Sequence, residues 1–325
     1  MQYNQHRTLF GTEYKNYDMA DLACETIDEV TLEAAKTDAP GIWYKTSMFN
    51  HSCVPNAGYS YIGDLMIVTA NCDINVGEEI FLPYISIWEN YDERQKELAK
   101  WGFHCSCALC NADALLSLKD QAIRMLVTTE ILALGDHDDK GFATMENLVR
   151  DCLQTYATPS YSGLPFLKMA NVLHIMPYCY LGDIDLWSAA PSKLRIKATE
   201  CFKACLQLGC GIKLIEDTGS GYCELAFTKH GQPLTSGIGS LVGLAELAFV
   251  SEIKLERRRV GPLLACAKQL YKLRYAQDAT FDTHHLSFRC KKASADASYE
   301  KPSPGWKNVK AKALAAASPV PAFLQ

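Results

Sequence analysis

Two short stretches carry residue types that could do chemistry. The first is NHSCVPN, Asn50–Asn56, which sets an amide, an imidazole, a hydroxyl, a thiol, a proline and a second amide side by side before a strand-like run. Asn and Ser favour turns by hydrogen-bonding local backbone and Pro by its fixed φ, so an ordinary loop explains any one of them. The second is WGFHCSCALC, Trp101–Cys110, in which Cys105, Cys107 and Cys110 follow the pattern C-x-C-x2-C. That spacing lets three thiolates share one ion and leaves a tetrahedral zinc one ligand short. His104 could supply the fourth ligand, a redox role or a plain cysteine-rich turn are alternatives, and Cys53 of the upstream loop is the ligand chosen here.

The elements that must position these residues read as a small β block followed by helices. YSYIGDLMIVTA is rich in aromatic and β-branched residues and is split by Gly63–Asp64, which predicts a hairpin; a further strand is expected at Glu79–Tyr84, completing a small antiparallel unit. IWENYDERQKELAKWGF predicts a helix, with Asn90 as its cap and Glu93 three residues on.

The chain of 325 residues is long enough for about two domains at roughly 150 residues each, with a core stable without disulfides. A hydrophobic content of 48% with 21% charged residues is that of a globular protein. The net charge of -5 argues against a general nucleic-acid binder, and the ERRR run at Glu256–Arg259 reads as a solvated helix face. No 18-residue apolar run suggests a membrane span, and Met1–Phe10 lacks signal-peptide order, so an intracellular, reducing location is expected. Fourteen scattered cysteines then read mostly as buried free thiols; Cys201 and Cys205, one helical turn apart, are expected in a core.

The order NHSC-x-PN, GEEIFLPY, a short helix, then WGF-x-C-x-C-x2-C resembles the C-terminal half of a SET domain with its post-SET zinc loop, over Gly41–Asn111. The likeness is to the SET and MYND type and to fungal proteins that join TPR and SET regions. It implies a protein-lysine N-methyltransferase using S-adenosylmethionine. Asn50 and His51 would hydrogen-bond that cofactor, Phe103 would pack on its adenine, and Trp101 would wall the lysine channel. Tyr84, the tyrosine of GEEIFLPY, would be the catalytic hydroxyl that aims a neutral lysine amine. The resemblance makes Cys53 the fourth zinc ligand beside Cys105, Cys107 and Cys110. It also implies that the NHSC and tyrosine segments pass through one another in a knot-like arrangement. Pro55 and Asn56 are expected to shape the turn, and Glu78 and Glu79 to be structural, because methyl transfer calls for no paired carboxylates.

A SET domain begins with a G-x-G cofactor contact upstream of NHSC, and the 49 residues before Asn50 contain none. The expectation is therefore an α+β chain whose SET domain is partial: residues 1–40 as an N-terminal segment or helical insert, 41–111 as the C-terminal half of SET with post-SET, 112–283 as a helical array, and 284–325 as a disordered tail. Helices are expected over Ala112–Leu134, Gly141–Tyr156, Phe166–Tyr180, Ser192–Leu208, Gly237–Lys254 and Gly261–Tyr275, with Gly209–Gly239 a glycine-rich break. Two functions follow: a lysine methyltransferase acting on a histone or other protein in nucleus or cytoplasm, or a catalytically inactive, truncated SET protein serving as a zinc-stapled helical interaction module. A hydrolase built on His51 and Cys53 is disfavoured, since a metal-bound thiolate is not free to attack.

Overall fold

Strand pairing in the N-terminal part is short and local. The structure is a computed structural model and describes residues 6–9, 38–62, 65–134, 138–217, 219–277, 281, 302–316 and 320–325. β1 (His6–Leu9) pairs antiparallel with β2 (Asp38–Gly41), and the helical insert expected between them lies outside the described residues. The hairpin expected from YSYIGDLMIVTA is present: β4 (Ala57–Ile62) runs antiparallel to β5 (Leu65–Ala70), with Ile62 opposite Leu65.

The third pairing corrects the expected antiparallel strand at Glu79–Tyr84. Only β6 (Phe81–Leu82) forms, and it lies parallel to β3 (Asn50–His51), Asn50 opposite Phe81 and His51 opposite Leu82. Pro83 has no N–H with which to extend the ladder, which holds the strand to two residues. The hairpin occupies the excursion between the two strands, so the chain returns running the same way, as parallel partners require.

Helices follow where the apolar periodicity puts them, except that the single helix expected over Ala112–Leu134 is broken between Asp113 and Leu118. α1 (Tyr91–Ala99) starts at Asn90, whose side-chain oxygen accepts the Glu93 amide at 3.0 Å, and it turns Arg94 and Leu98 inward one turn apart. α2 (Ala108–Asp113) carries Cys110. α3 (Leu118–Ala133) is capped by Ser117, and α4 (Asp139–Gln154) by Asp138 with Met145, Val149 and Cys152 as its inward stripe. α5 (Leu167–Leu181) and α6 (Ser192–Ala204) pack together, and α6 runs into a π turn over Cys205–Gly209. A Cβ on Gly209 would lie 2.5 Å from the Ala170 Cα, so only glycine permits this closeness to α5. Cys201 and Cys205 are fully buried against Met176 and the Ala170 carbonyl, in the core as expected.

The expected glycine-rich break is instead a second hairpin. β7 (Ile212–Glu216) pairs antiparallel with β8 (Cys223–Phe227), Ile212 opposite Phe227, and places the glycines at its ends. α7 (Thr235–Phe249), α8 (Lys254–Arg257) and α9 (Val260–Tyr275) complete the array, with α9 lying against β4 and β5. One continuous apolar core joins the cysteine loop to these helices. Among the described residues no helix is long and apolar enough to cross a membrane.

The expected disordered tail needs correction where it is described. α10 (Trp306–Ala315) packs on the second hairpin: Trp306 meets Tyr222 edge-on at 5.0 Å, Lys310 pairs with Glu224, and the Ser303 amide donates to Asp217 at 2.7 Å. Leu324 is buried, and Arg150 holds the Phe323 carbonyl at 3.2 Å. Ala and Lys favour helix once a docking face exists, and that face comes from a hairpin remote in sequence. The remainder of the expected tail lies outside the described residues.

The turn after β8 joins the two parts of the chain. Gln232, 3% exposed, donates from Nε2 to the Pro55 carbonyl at 2.8 Å and accepts from Asn71 Nδ2 at 3.3 Å, while the Cys72 thiol donates to the Lys229 carbonyl at 3.2 Å. Gln232→Leu keeps the volume but strips polar partners from buried groups. It should destabilise the chain by about 1–3 kcal/mol in denaturant unfolding, whereas an unchanged midpoint would show that this junction contributes nothing.

Candidate functional site

The loop Asn50–Asn56 is buried beyond its first residue, so its polar groups must be satisfied by neighbours. Asn56 does this with both ends of its amide: Nδ2 donates to the Glu79 carbonyl at 2.8 Å, and Oδ1 accepts the Phe81 amide at 2.8 Å. Ser52 N–H donates to the Leu82 carbonyl, extending the β3–β6 contact. Pro55 and Asn56 therefore shape the loop, as expected, and also tie it to the strand that leads to Tyr84.

His51 is fixed in one tautomer by its partners. The Tyr84 backbone N–H donates to His51 Nδ1 at 3.0 Å, so the ring proton belongs on Nε2, which lies 3.3 Å from Cys53 Sγ. Both ring nitrogens are thus engaged within the protein. A hydrogen bond from His51 to a ligand, as the resemblance implies, therefore falls to its backbone, with the ring face left for packing. Asn50 Nδ2 donates to Glu79 Oε1 at 2.6 Å, leaving its amide oxygen for a ligand.

Tyr84 sits at the centre of an aromatic group. Its hydroxyl donates to the Phe49 carbonyl, and its ring lies 5.4 Å from His51, 6.3 Å from Phe103 and 4.7 Å from Trp101. Burial raises the phenol's pKa, so Tyr84 is an uncharged hydroxyl at neutral pH. Phe103 is 37% exposed and offers a free ring surface. A cleft of about 520 Å³ is lined by Asn50, His51, Tyr84 and Phe103, within the roughly 300–1,000 Å³ usual for small-ligand sites. Trp101 is not part of that lining; it backs Tyr84 from behind.

Two lining residues, Lys229 and His230, were not legible in the sequence, and Glu78 lines the cleft beside them. Glu78, Lys229 and His230 close one side of the cleft, the last two brought there by the junction turn. Lys229 Nζ lies 3.7 Å from Glu78 Oε1, and burial together with Lys229 lowers the His230 pKa, keeping its imidazole neutral. Glu78 accepts the Asn75 amide and side chain at 3.2 and 3.1 Å, and Glu79 holds Asn50, the structural roles expected of both.

Beside the cleft, Cys53, Cys105, Cys107 and Cys110 place their sulfurs within 4.8 Å of one another, an arrangement that could hold a metal ion. Cys53 and Cys110 are 3.5 Å apart, close to the separation of about 3.8 Å that zinc–sulfur bonds of ~2.3 Å require in a tetrahedron. Hydrogen bonds from Cys107, Cys110 and Cys53 hold the Cys105 thiol far below its ordinary range. Cys107, raised by Cys105 but lowered by Cys110 and Cys53, settles at about 6. Contact with Cys105 pushes Cys53 and Cys110 upward. Two of the thiols are thus held toward thiolate and two away from it, so four thiolates at this spacing call for a cation among them. His104, the alternative ligand, faces Tyr91 at 3.3 Å instead.

Residues 3–85 match the SET domain family model, beginning upstream of the motifs quoted above. A protein of Gibberella zeae named "Methyltransferase" is 36% identical over 129 residues, 39% of this chain and 18% of that protein. The "Histone-lysine N-methyltransferase SET5" of Yarrowia lipolytica is 37% identical over 130 residues, covering 34% of this chain and 29% of its own. The "Histone-lysine N-methyltransferase SMYD3" of Homo sapiens is 35% identical over 71 residues, or 22% of this chain and 17% of its own. The chain thus spans less than a third of the length of each of these relatives. For the sulfur cluster, the expected outcome is a bound metal ion in the purified chain by elemental analysis and its loss in Cys105→Ser; equal metal in both would exclude the four-sulfur site. The motif order, the paired loop and strand around His51 and Tyr84, and these matches agree: residues 3–85 of the chain match the SET domain.

Proposed function

We propose that this chain acts as a protein-lysine N-methyltransferase that uses S-adenosylmethionine, with a structural zinc at Cys53, Cys105, Cys107 and Cys110. The observation that carries this reading is the convergence of Asn50, His51, Tyr84 and Phe103 on one cleft beside the sulfur cluster. The cleft fits such a cofactor by volume and by its mixture of an open aromatic ring with amide and hydroxyl groups. Asn50 would hold it through the free amide oxygen, Phe103 by stacking, and His51 through ring face or backbone.

When bound, S-adenosylmethionine supplies an electrophilic methyl group on a sulfonium. The protein's own part is to orient and desolvate. A lysine amine attacks only when neutral, and desolvation in the cleft beside Tyr84 would disfavour its charged form, with Trp101 backing the Tyr84 ring. The uncharged Tyr84 hydroxyl, braced on the Phe49 carbonyl, would aim the nitrogen lone pair. The zinc would bind the post-SET loop, and with it Phe103, to the NHSC loop. Protein lysines, in histones or other proteins of nucleus or cytoplasm, are the proposed substrates; several relatives are named for histone lysines.

One observation favours a second reading, a zinc-stapled helical interaction module without catalysis. Both His51 ring nitrogens and one Asn50 amide N–H are already engaged within the protein. Calorimetric titration of S-adenosylmethionine into the zinc-loaded chain separates the two. Micromolar binding, on the order of 8 kcal/mol, that is lost in Asn50→Ala supports the enzyme; no heat from a folded, zinc-containing chain supports the module. Tyr84→Phe should retain that binding and slow methyl transfer to protein lysine by about 100-fold, and unaltered transfer would remove Tyr84 from the chemistry.

A further inference from the structure

Two buried arginines next to the sulfur cluster share a single carboxylate. Arg94 of α1 is 2% exposed and Arg124 of α3 is 7% exposed. Arg94 Nη2 contacts Asp113 Oδ2 at 2.6 Å, and Arg124 Nη1 contacts Oδ1 of the same residue at 3.1 Å. Every other partner of Arg124 is neutral: Thr155 Oγ1 and the Thr155 carbonyl, both at 2.7 Å, the Tyr161 hydroxyl at 2.6 Å, and the rings of Tyr156 and Tyr161. Arg94 also donates to the Glu89 carbonyl at 2.7 Å, and its Nε has no hydrogen-bond partner.

The surroundings do not remove the surplus. Lys168 adds a cation and donates to the Trp88 carbonyl; Glu89 and Glu93 lie nearer solvent and hydrogen-bond each other. Among the described residues the other buried carboxylates are Asp217 and Glu246, and Asp217 is engaged by Ser220, Gly219 and Ser303. An unbalanced buried cation is costly to hold. The remaining group that Arg94 Nη2 faces is Cys110 Sγ, at 3.8 Å. A divalent ion held by four thiolates carries a net charge of about -2, which is the counter-charge this arginine pair lacks.

We propose that Arg94, Asp113 and Arg124 form the buried counter-charge of the metal–thiolate cluster, so that metal loading is transmitted to the helical region at Thr155 and Tyr161. The proposal rests on the metal reading above. Arg94 is a positioning residue: it neutralises the cluster through Cys110 and hands the remaining charge to Asp113.

Zinc affinity of the full chain, measured by competition with a chromogenic chelator, tests it. Arg94→Gln should weaken zinc roughly 10–100-fold, Arg94→Lys should recover most of the loss, and Lys100→Gln at the exposed C-terminal end of the same helix should change nothing. The melting-temperature increment on adding zinc should shrink in Arg94→Gln, because the variant loses a term present only in the loaded form. Unchanged zinc affinity, with equal destabilisation of loaded and stripped protein, would make Arg94 a merely structural residue and overturn the proposal. If Arg94→Gln does not fold, the wild-type chain suffices: stripping its zinc should speed amide exchange at Tyr156–Tyr161, and unchanged exchange overturns the proposal. A folded wild type that takes up no zinc overturns the metal reading itself, and this one with it.

Discussion

A loop that cannot satisfy its own polar groups organises the N-terminal part of the molecule. Within Asn50–Asn56 only Val54 N–H to Ser52 Oγ and His51 to Cys53 are paired internally, and the loop is too buried to rely on water, so its other polar atoms must find partners elsewhere. His51 goes to the Tyr84 amide, Asn56 to Glu79 and Phe81, Cys53 to the other sulfurs, and the Pro55 carbonyl to Gln232. The partners lie on three segments: the strand region 79–84, the cysteine segment and the turn after β8. Satisfying one loop therefore brings the β block, the cysteine segment and the helical region to a common point.

The cleft is a by-product of that convergence. Tyr84 is placed by its own amide on His51 and by its hydroxyl on Phe49, so its orientation is determined before any ligand arrives. Phe103 reaches the same cleft because the cysteines two and four residues beyond it are drawn to Cys53. Lys229 and His230 reach it because Gln232 is anchored on Pro55. The helical region thus supplies part of the cleft wall as well as a scaffold. Its packing is tight enough that a Cβ on Gly243 would come within 2.3 Å of the Phe202 ring, which leaves little freedom for the turn to move independently.

Electrostatics add a second link between the same regions. Burying Arg94 and Arg124 around Asp113 is unfavourable for isolated ions, and it is offset by directing most of their donors at acceptors, Thr155, Tyr161 and the Glu89 carbonyl, with Arg94 Nε left over. The network runs from α1 beside the sulfurs to the Tyr161 turn, parallel to the Gln232 junction but independent of it.

Much of this was legible in sequence because local physics determines it. The Asn90 cap, the hairpin flanking Gly63–Asp64, the helical stripes of α3 to α7 and α9 and the Cys105, Cys107 and Cys110 triplet depend on residue type and spacing over a few turns, while the motif order pointed to the SET region and to Cys53 as the fourth sulfur. Tertiary structure alone decided the parallel pairing of Asn50–His51 with Phe81–Leu82, the hairpin hidden in the glycine-rich stretch, the docking of Trp306–Ala315, and the arrival of Lys229 and His230 at the cleft. It also decided that both nitrogens of His51 are spent inside the protein. These features depend on which distant groups satisfy one another once buried, a condition that reaches across as many as 177 positions between Pro55 and Gln232 and leaves no periodic trace in the chain.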